Sequence, residues 1–387
     1  MLRFTVPAQA GLLFGVLSSS ALALAGDRVV ETLSQPDSHP SRHSLGRRLF
    51  ERETFGGNGR TCLTCHARET GTVSPEDARE RSLRDADDPL FLLDGSDDGG
   101  GNGISRMLRD ATILIEIPLP SNVRLDDDPS ARSVVLRRGI PTTLNTPALD
   151  PVLMLDGRQS RLETQAADAI AGHAQATRLA AVEELEAIAE FQRTRRFFSS
   201  EALANFAVGG PPPGLPDGRT AAEQRGRRFF EDLPGGDDGK DGLCAACHSG
   251  PLLNQTNAFL PVPVPVGTRF FGVLVSELNA AENPVHDYAF DNGDGTETLV
   301  TSPDPGRALI TGLAADAGAF KISSLRGVSR TAPYFHDNSA QTLADVAAHY
   351  ARFFAIVTAP ASPGPTEPAI VLTPEEQADI VAYMKLL

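Results

Sequence analysis

Two five-residue segments constrain this chain more than anything else in it. They are Cys62-Leu63-Thr64-Cys65-His66 and Cys244-Ala245-Ala246-Cys247-His248. Each reads C-x-x-C-H, and together they use all 4 cysteines of the 387 residues. No thiol is left for any other role. The fold must therefore present two cysteines about one helical turn apart, with a histidine directly behind them, and must do so twice.

Several uses of C-x-x-C compete. A disulfide between cysteines three apart closes a very small loop and leaves the histidine unexplained. Thioredoxin-like chemistry needs the motif to open a helix in a βαβ setting, and neither segment follows a strand-like run. Zinc would draw four ligands from the two pairs, but the pairs are far apart in sequence and each carries its own histidine. Covalent haem c uses all three marked positions: two thiols add to the vinyl groups, and the adjacent imidazole becomes the proximal iron ligand. The expected cofactors are two haem c groups, one on Cys62, Cys65 and His66, the other on Cys244, Cys247 and His248. Disulfides remain the alternative, since they persist in exported proteins.

Export is expected from the N-terminus, MLRFTVPAQAGLLFGVLSSSALALAGDR. Arg3 gives a short positive region, an apolar run follows, and Ala23-Leu24-Ala25 matches a small-x-small cleavage pattern. Residues 1–25 thus read as a secretory signal, with a membrane anchor as the alternative, and the expected location is the periplasm. No other stretch approaches the ~20 apolar residues of a membrane span. A net charge of −15 argues against nucleic acid and anionic membranes, and favours a basic protein partner.

An internal repeat supports two similar haem domains. LGRRLFE (45–51) and a Gly-Gly-Asn turn precede the first motif; RGRRFFE (225–231) and a Gly-Gly-Asp turn precede the second. Residues 26–206 read as the N-terminal domain, the Pro/Gly-rich 207–219 as a linker, and 220–387 as the C-terminal domain. Apolar spacing predicts helix over 160–206, over 342–354, and over 372–387 with Thr373 as N-cap and Pro374 at the first helical position. Each domain carries a polar insertion. Residues 93–105 read as loop, 111–119 as strand, 260–266 as extended, and 291–297 as a turn rather than a full calcium loop. The expected fold class is mainly α: two cytochrome c-like haem domains with small β or extended insertions.

Beyond the motifs, the chain resembles the bacterial di-haem cytochrome c peroxidases and their MauG-type relatives. The likeness is carried by IPTTLNTPALDPVLMLDGRQSRLETQA (140–166), by FKISSLRGVSRTAPYFHDNSAQTLADVAAHY (320–350) and by the terminal LTPEEQADIVAYMKLL. The resemblance implies that the N-terminal haem, with His66 proximal, reacts with peroxide, and that the C-terminal haem, with His248 proximal, delivers electrons. Where that family usually has a Trp, this chain has Leu155, and it contains no Trp at all. Direct transfer or another aromatic must then serve between the haems. The family's distal Gln is matched by Gln165, while its distal acid is replaced by Gln175. An amide takes no proton near neutrality. His173, two positions earlier, is the candidate acid–base group, with iron ligation or a plain surface role as alternatives.

On the second haem the resemblance implies Tyr350 as sixth ligand, as in the MauG branch, with His349 as its rival and Met384 as a weaker one. It also implies a calcium ion held by the carbonyls of Thr331 and Pro333, with Gly139 standing where the family has an Asn. Arg326 and His336 are expected to meet haem propionates. The expected activity is hydrogen peroxide reduction, using electrons from a small cytochrome c or cupredoxin. The alternatives are MauG-like oxidation of a side chain on a protein substrate, and a non-enzymatic electron carrier.

Overall fold

The computed structural model describes residues 40–278, 283–359 and 369–387. The expected signal, residues 1–25, lies outside them. The repeat seen in the sequence is a repeat of packing. The Pro40–Arg52 helix crosses the Val182–Gln192 helix at Gly46, where an added Cβ would stand 2.0 Å from the Ala187 carbonyl oxygen and 2.9 Å from Phe191 Cβ. The Ala221–Arg227 helix crosses the terminal Pro374–Met384 helix at Gly226 in the same manner, 2.1 Å from the Asp379 oxygen and 2.9 Å from Tyr383 Cβ. In both, the contacted residues are four apart and so share a helix face. An aromatic pair closes each crossing: Phe50 on Phe191 at 5.6 Å and Phe230 on Tyr383 at 5.3 Å between ring centroids.

Helix ends follow the expected chemistry. Thr373 Oγ1 accepts from the Glu376 amide at 3.2 Å, with Pro374 first in the helix. Thr342 caps Leu343–Val357 through the Asp345 amide at 3.2 Å. The helical expectation for 160–206 needs correction. The helix Leu162–Gly172 stops, residues 173–181 are irregular, and Val182–Gln192 begins anew. Gln175 adopts φ 50° at this break, a left-handed conformation that no helix continues through.

The two insertions are not independent loops. Thr112–Pro118 pairs antiparallel with Ser133–Gly139, setting Ile115 against Leu136. Val123–Leu125, from the first half, pairs with His286–Asp291 from the second, which in turn pairs with Glu297–Ser302. Met107, Ile117, Leu136, Tyr288, Phe290 and Leu309 meet in one core beneath these strands. The halves expected as separate domains therefore share a third body, and residues 38–387 form one compact unit. Residues 260–266, expected as extended, bend instead: the Val264 amide donates to the Val262 carbonyl at 2.8 Å, and a turn follows at 266–267. Residues 291–297 form the hairpin turn, where Asp291 and Asp294 accept the Gly293 and Thr296 amides at 2.8 and 2.9 Å.

A buried charge cluster fastens the shared body to the haem-motif halves. Arg138 is fully buried, makes two bonds of 2.7 and 2.8 Å to Asp304, and donates at 2.5 Å to Asp156. Asp156 belongs to the Met154–Arg158 segment and also accepts from Arg158 at 2.7 Å. Gly157 in that segment lies under Phe270, on whose ring Arg307 stacks at 3.7 Å. Phe270 is thus an aromatic ring packed on the Met154–Arg158 segment, which itself contains no aromatic residue.

Candidate functional site

Both C-x-x-C-H segments fold alike. In each, the histidine amide donates to the first cysteine's carbonyl at 2.9 Å, a helical turn that places the imidazole behind the thiols. His66 Nδ1 donates to the Gly71 carbonyl at 2.8 Å, and His248 Nδ1 to the Leu253 carbonyl at 3.0 Å. Each acceptor lies five residues on, at a position with positive φ. These bonds fix the tautomer and leave Nε2 as the lone-pair nitrogen.

All four cysteines are free thiols. Burial pushes Cys62 up to about 12, with the neighbouring Cys65 adding to it. Burial likewise pushes Cys244 and Cys247 up to about 12, and raises Cys65 although Arg60 opposes it. Burial lowers both His66 and His248, so the imidazoles are neutral at physiological pH. Reduced, unpaired thiols and a neutral, oriented imidazole are the set that thioether formation and iron ligation require, so the residues present fit haem c at both motifs.

The surroundings of the two motifs differ. Near the first, a cleft of about 290 Å³ is lined by Asp94, Asp98, Leu114, Glu116, His173 and Gln175, among others. His173 ends the Leu162–Gly172 helix; its carbonyl accepts from Asn58 Nδ2 at 3.0 Å and from Arg60 at 3.2 Å. Its ring Nδ1 meets Asp94 Oδ2 at 2.5 Å. Burial would raise the Asp94 carboxyl, but the His173 bond and the Arg60 charge outweigh it and hold the carboxyl below its usual range. After burial, the charge of His173 is a further cause lowering His66. Gln175 is exposed at the cleft, whereas Gln165 sits half-buried on the helix two turns before His173 and does not line it.

Sequence reasoning missed Asp94 and Arg60. Arg60 is 3% exposed and ties the residue before Thr61 to the Pro89 carbonyl at 2.7 Å, the Leu90 carbonyl at 3.1 Å and Asp94. The only signal was its place two residues before Cys62. Asp94 lay in a Gly/Asp-rich stretch that reads as ordinary loop.

Around the second motif, Tyr350 is half-buried, and its hydroxyl is raised by burial and then by the Cys247 and Cys244 thiols close to it. His349 turns the other way: its Nε2 donates to the Val273 carbonyl at 2.8 Å and its ring packs on Phe335 at 4.7 Å. Met384 is buried in the core of the terminal helix. Of the two neighbours, Tyr350 is the one on which the thiols act, while His349 is tied to Val273.

The remaining expected site residues have other partners here. Arg326 gives three of its five N–H groups to carbonyls, those of Pro251, Gly214 and Pro213 at 3.1, 2.9 and 2.7 Å, and so straps down the 207–219 segment. His336 stacks on Phe320 at 3.7 Å, with Nε2 3.2 Å from Ser276 Oγ and 3.8 Å from Asp304. Thr331 and Pro333 flank the cis Ala332–Pro333 bond, with Thr331 Oγ1 donating to Val328 at 3.2 Å. At Gly139 an Asn side chain is present after all, supplied from elsewhere. A Cβ there would meet Asn338 Oδ1 at 2.1 Å, and Asn338 Nδ2 donates to the Asp110 and Ala111 carbonyls at 2.9 and 3.1 Å. Among the described residues no group of three or more His, Cys, Asp or Glu side chains is placed to hold a metal ion. Nor is any helix among them long and apolar enough to cross a membrane.

No family model matches the chain. It is 31% identical over 175 residues to a cytochrome-c peroxidase of Denitromonas iodatirespirans, covering 43% of this chain and 40% of that protein. It is 25% identical over 215 residues to the cytochrome c551 peroxidase of Nitrosomonas europaea, covering 52% and 55%. The matched regions span roughly half the length of these curated relatives or less. In fold, it superposes with a TM-score of 0.51 on a MauG-like protein associated with microbial copper homeostasis, at 22% identity over 92% of this chain and 90% of the other. Over part of its length this chain is thus similar in sequence to bacterial cytochrome c peroxidases, and over most of it similar in fold to a MauG-like protein.

Proposed function

We propose that the chain is an exported di-haem c-type oxidoreductase that reduces hydrogen peroxide at its first motif, with electrons entering at the second. One observation carries this reading: beside the first C-x-x-C-H segment lies a cleft lined by a positioned imidazole, His173. Bound haem would supply an iron whose redox change delivers the electrons. His66 and His248 would hold it by Nε2, because their Nδ1 atoms are committed to carbonyls. With Nδ1 on Asp94, His173 has Nε2 to take the proton from one oxygen of peroxide and return it to the other, which leaves as water. The balance is one peroxide, two electrons and two protons to two waters. A small redox protein is the electron source, and the charge of −15 suits a basic one.

The test is peroxide consumption by haem-loaded protein with a reduced donor, started fully oxidised or half-reduced. Turnover in either state that falls about 10²–10⁴-fold in His173→Gln supports the proposal. Haems inert to peroxide in both states overturn it in favour of an electron carrier. A second reading, MauG-like oxidation of a partner protein, is favoured by Tyr350 facing the Cys244 and Cys247 thiols. A long-lived oxidised species with slow turnover would select it.

A further inference from the structure

The 93–105 insertion brings a carboxylate into the cleft at the point where the chain lacks one. We infer that Asp94, held by Arg60, is the positioning residue that makes His173 an effective proton shuttle; this rests on the peroxidase reading above. Three contacts support it. Asp94 Oδ2 lies 2.5 Å from His173 Nδ1. The other carboxylate oxygen is bound by Arg60, whose buried guanidinium is also fixed by the Pro89 and Leu90 carbonyls. The His173 backbone is pinned from the same side by Asn58 and Arg60 at 3.0 and 3.2 Å. Ring, backbone and carboxylate are thus fixed by residues immediately preceding Cys62.

The chemistry follows from the geometry. A carboxylate on Nδ1 accepts the Nδ1 proton, keeps the lone pair on Nε2, and stabilises the imidazolium formed when Nε2 takes a proton. Gln175, also at the cleft, can neither take nor stabilise that proton. The other ionisable groups facing this place are Asp98 and Glu116 across the cleft, Arg60 behind the carboxylate, and His66 beyond. Asp98 is occupied by the Gly100 and Asn102 amides at 2.8 and 2.9 Å, and Glu116 by Ser133 Oγ at 2.5 Å. Both are held by these other partners, and Asp94 is the carboxylate bonded to the His173 ring.

The experiment compares haem-loaded wild type with Asp94→Asn, Asp94→Glu, His173→Gln and the double variant Asp94→Asn/His173→Gln. Two readouts are taken: peroxide turnover, and the association rate of cyanide, which arrives as HCN and must give up its proton. Asp94→Asn is expected to lower kcat about 100-fold with little change in KM. Cyanide association should slow in proportion while the absorption spectrum stays unchanged; the melting temperature should fall, because the buried Arg60 loses its charged partner. Asp94→Glu should recover part of both, and the double variant should be no worse than His173→Gln alone. If Asp94→Asn keeps wild-type turnover and cyanide rates while His173→Gln loses them, Asp94 is only a structural tie and the inference falls, with the shuttle intact. If His173→Gln itself changes neither, the shuttle reading fails first.

Discussion

Gly46 lies so close beneath Ala187 that an added Cβ would stand 2.0 Å from the Ala187 carbonyl oxygen. Backbone cannot yield as a side-chain tip can, so Gly46→Ala must spread the two helices. A cost of about 1–3 kcal/mol is expected, as for other overpacked contacts. Gly226→Ala, against Asp379, should cost a similar amount. Urea unfolding of the two variants checks this, and unchanged midpoints in both would refute the crossing as described.

Arg138 is buried between Asp156 and Asp304, and all three side chains are shielded from bulk solvent. Asp304→Asn removes its bidentate partner and leaves the guanidinium undercompensated. The expected loss is about 3–5 kcal/mol, by the general behaviour of broken buried pairs. Chemical denaturation measures it. A loss below that of a typical surface substitution would mean the cluster is solvated in solution.

The same groups set the response to acid. Burial would raise Asp156 and Asp304, but Arg138 outweighs it and both are held low. Their unfolded forms therefore bind protons first. The stability they contribute is complete above about pH 4, the ordinary carboxylate range, and is lost as pH falls through their lowered native values. His336 is lowered mainly by burial, so its native form stays neutral while the unfolded one gains a proton below about pH 6.5. Melting temperature should fall gently below about 6.5 and steeply below about 4. Asp304→Asn should flatten the steep limb, and His336→Gln the gentle one.

Haem attachment gives a stoichiometric test. Pyridine haemochrome assay should find two covalent haems per chain. Cys62→Ser with Cys65→Ser should leave one, and so should the corresponding pair of changes at Cys244 and Cys247. Retention of both haems after either pair of changes would contradict the assignment of thioether sites.

Tyr350 and His349 are neighbours on one helix with opposite aims. If Tyr350 ligates the second haem, Tyr350→Phe should raise its reduction potential, because loss of an anionic oxygen disfavours the ferric state. His349→Gln should leave that potential unchanged. A redox titration in which His349→Gln moves the potential and Tyr350→Phe does not would reverse the assignment.

The two C-x-x-C-H turns, the paired GRR helices and the capped terminal helix were legible in the sequence because each is local. Spacing of three or four residues places thiols behind one imidazole, and Thr373-Pro374 starts a helix whatever surrounds it. The choice between Tyr350 and His349 was legible only as a choice, since periodicity says that two adjacent helical residues diverge but not which faces the motif. Three features depended on tertiary structure alone. The helix break at Gln175, the strand pairing of residues 123–125 with 286–291, and the approach of Asp94 to His173 all join segments distant in sequence. Their energies come from partners that a local pattern does not contain. A Gly/Asp-rich stretch looks like solvent-facing loop in sequence, and only the buried guanidinium of Arg60 turns its carboxylate inward.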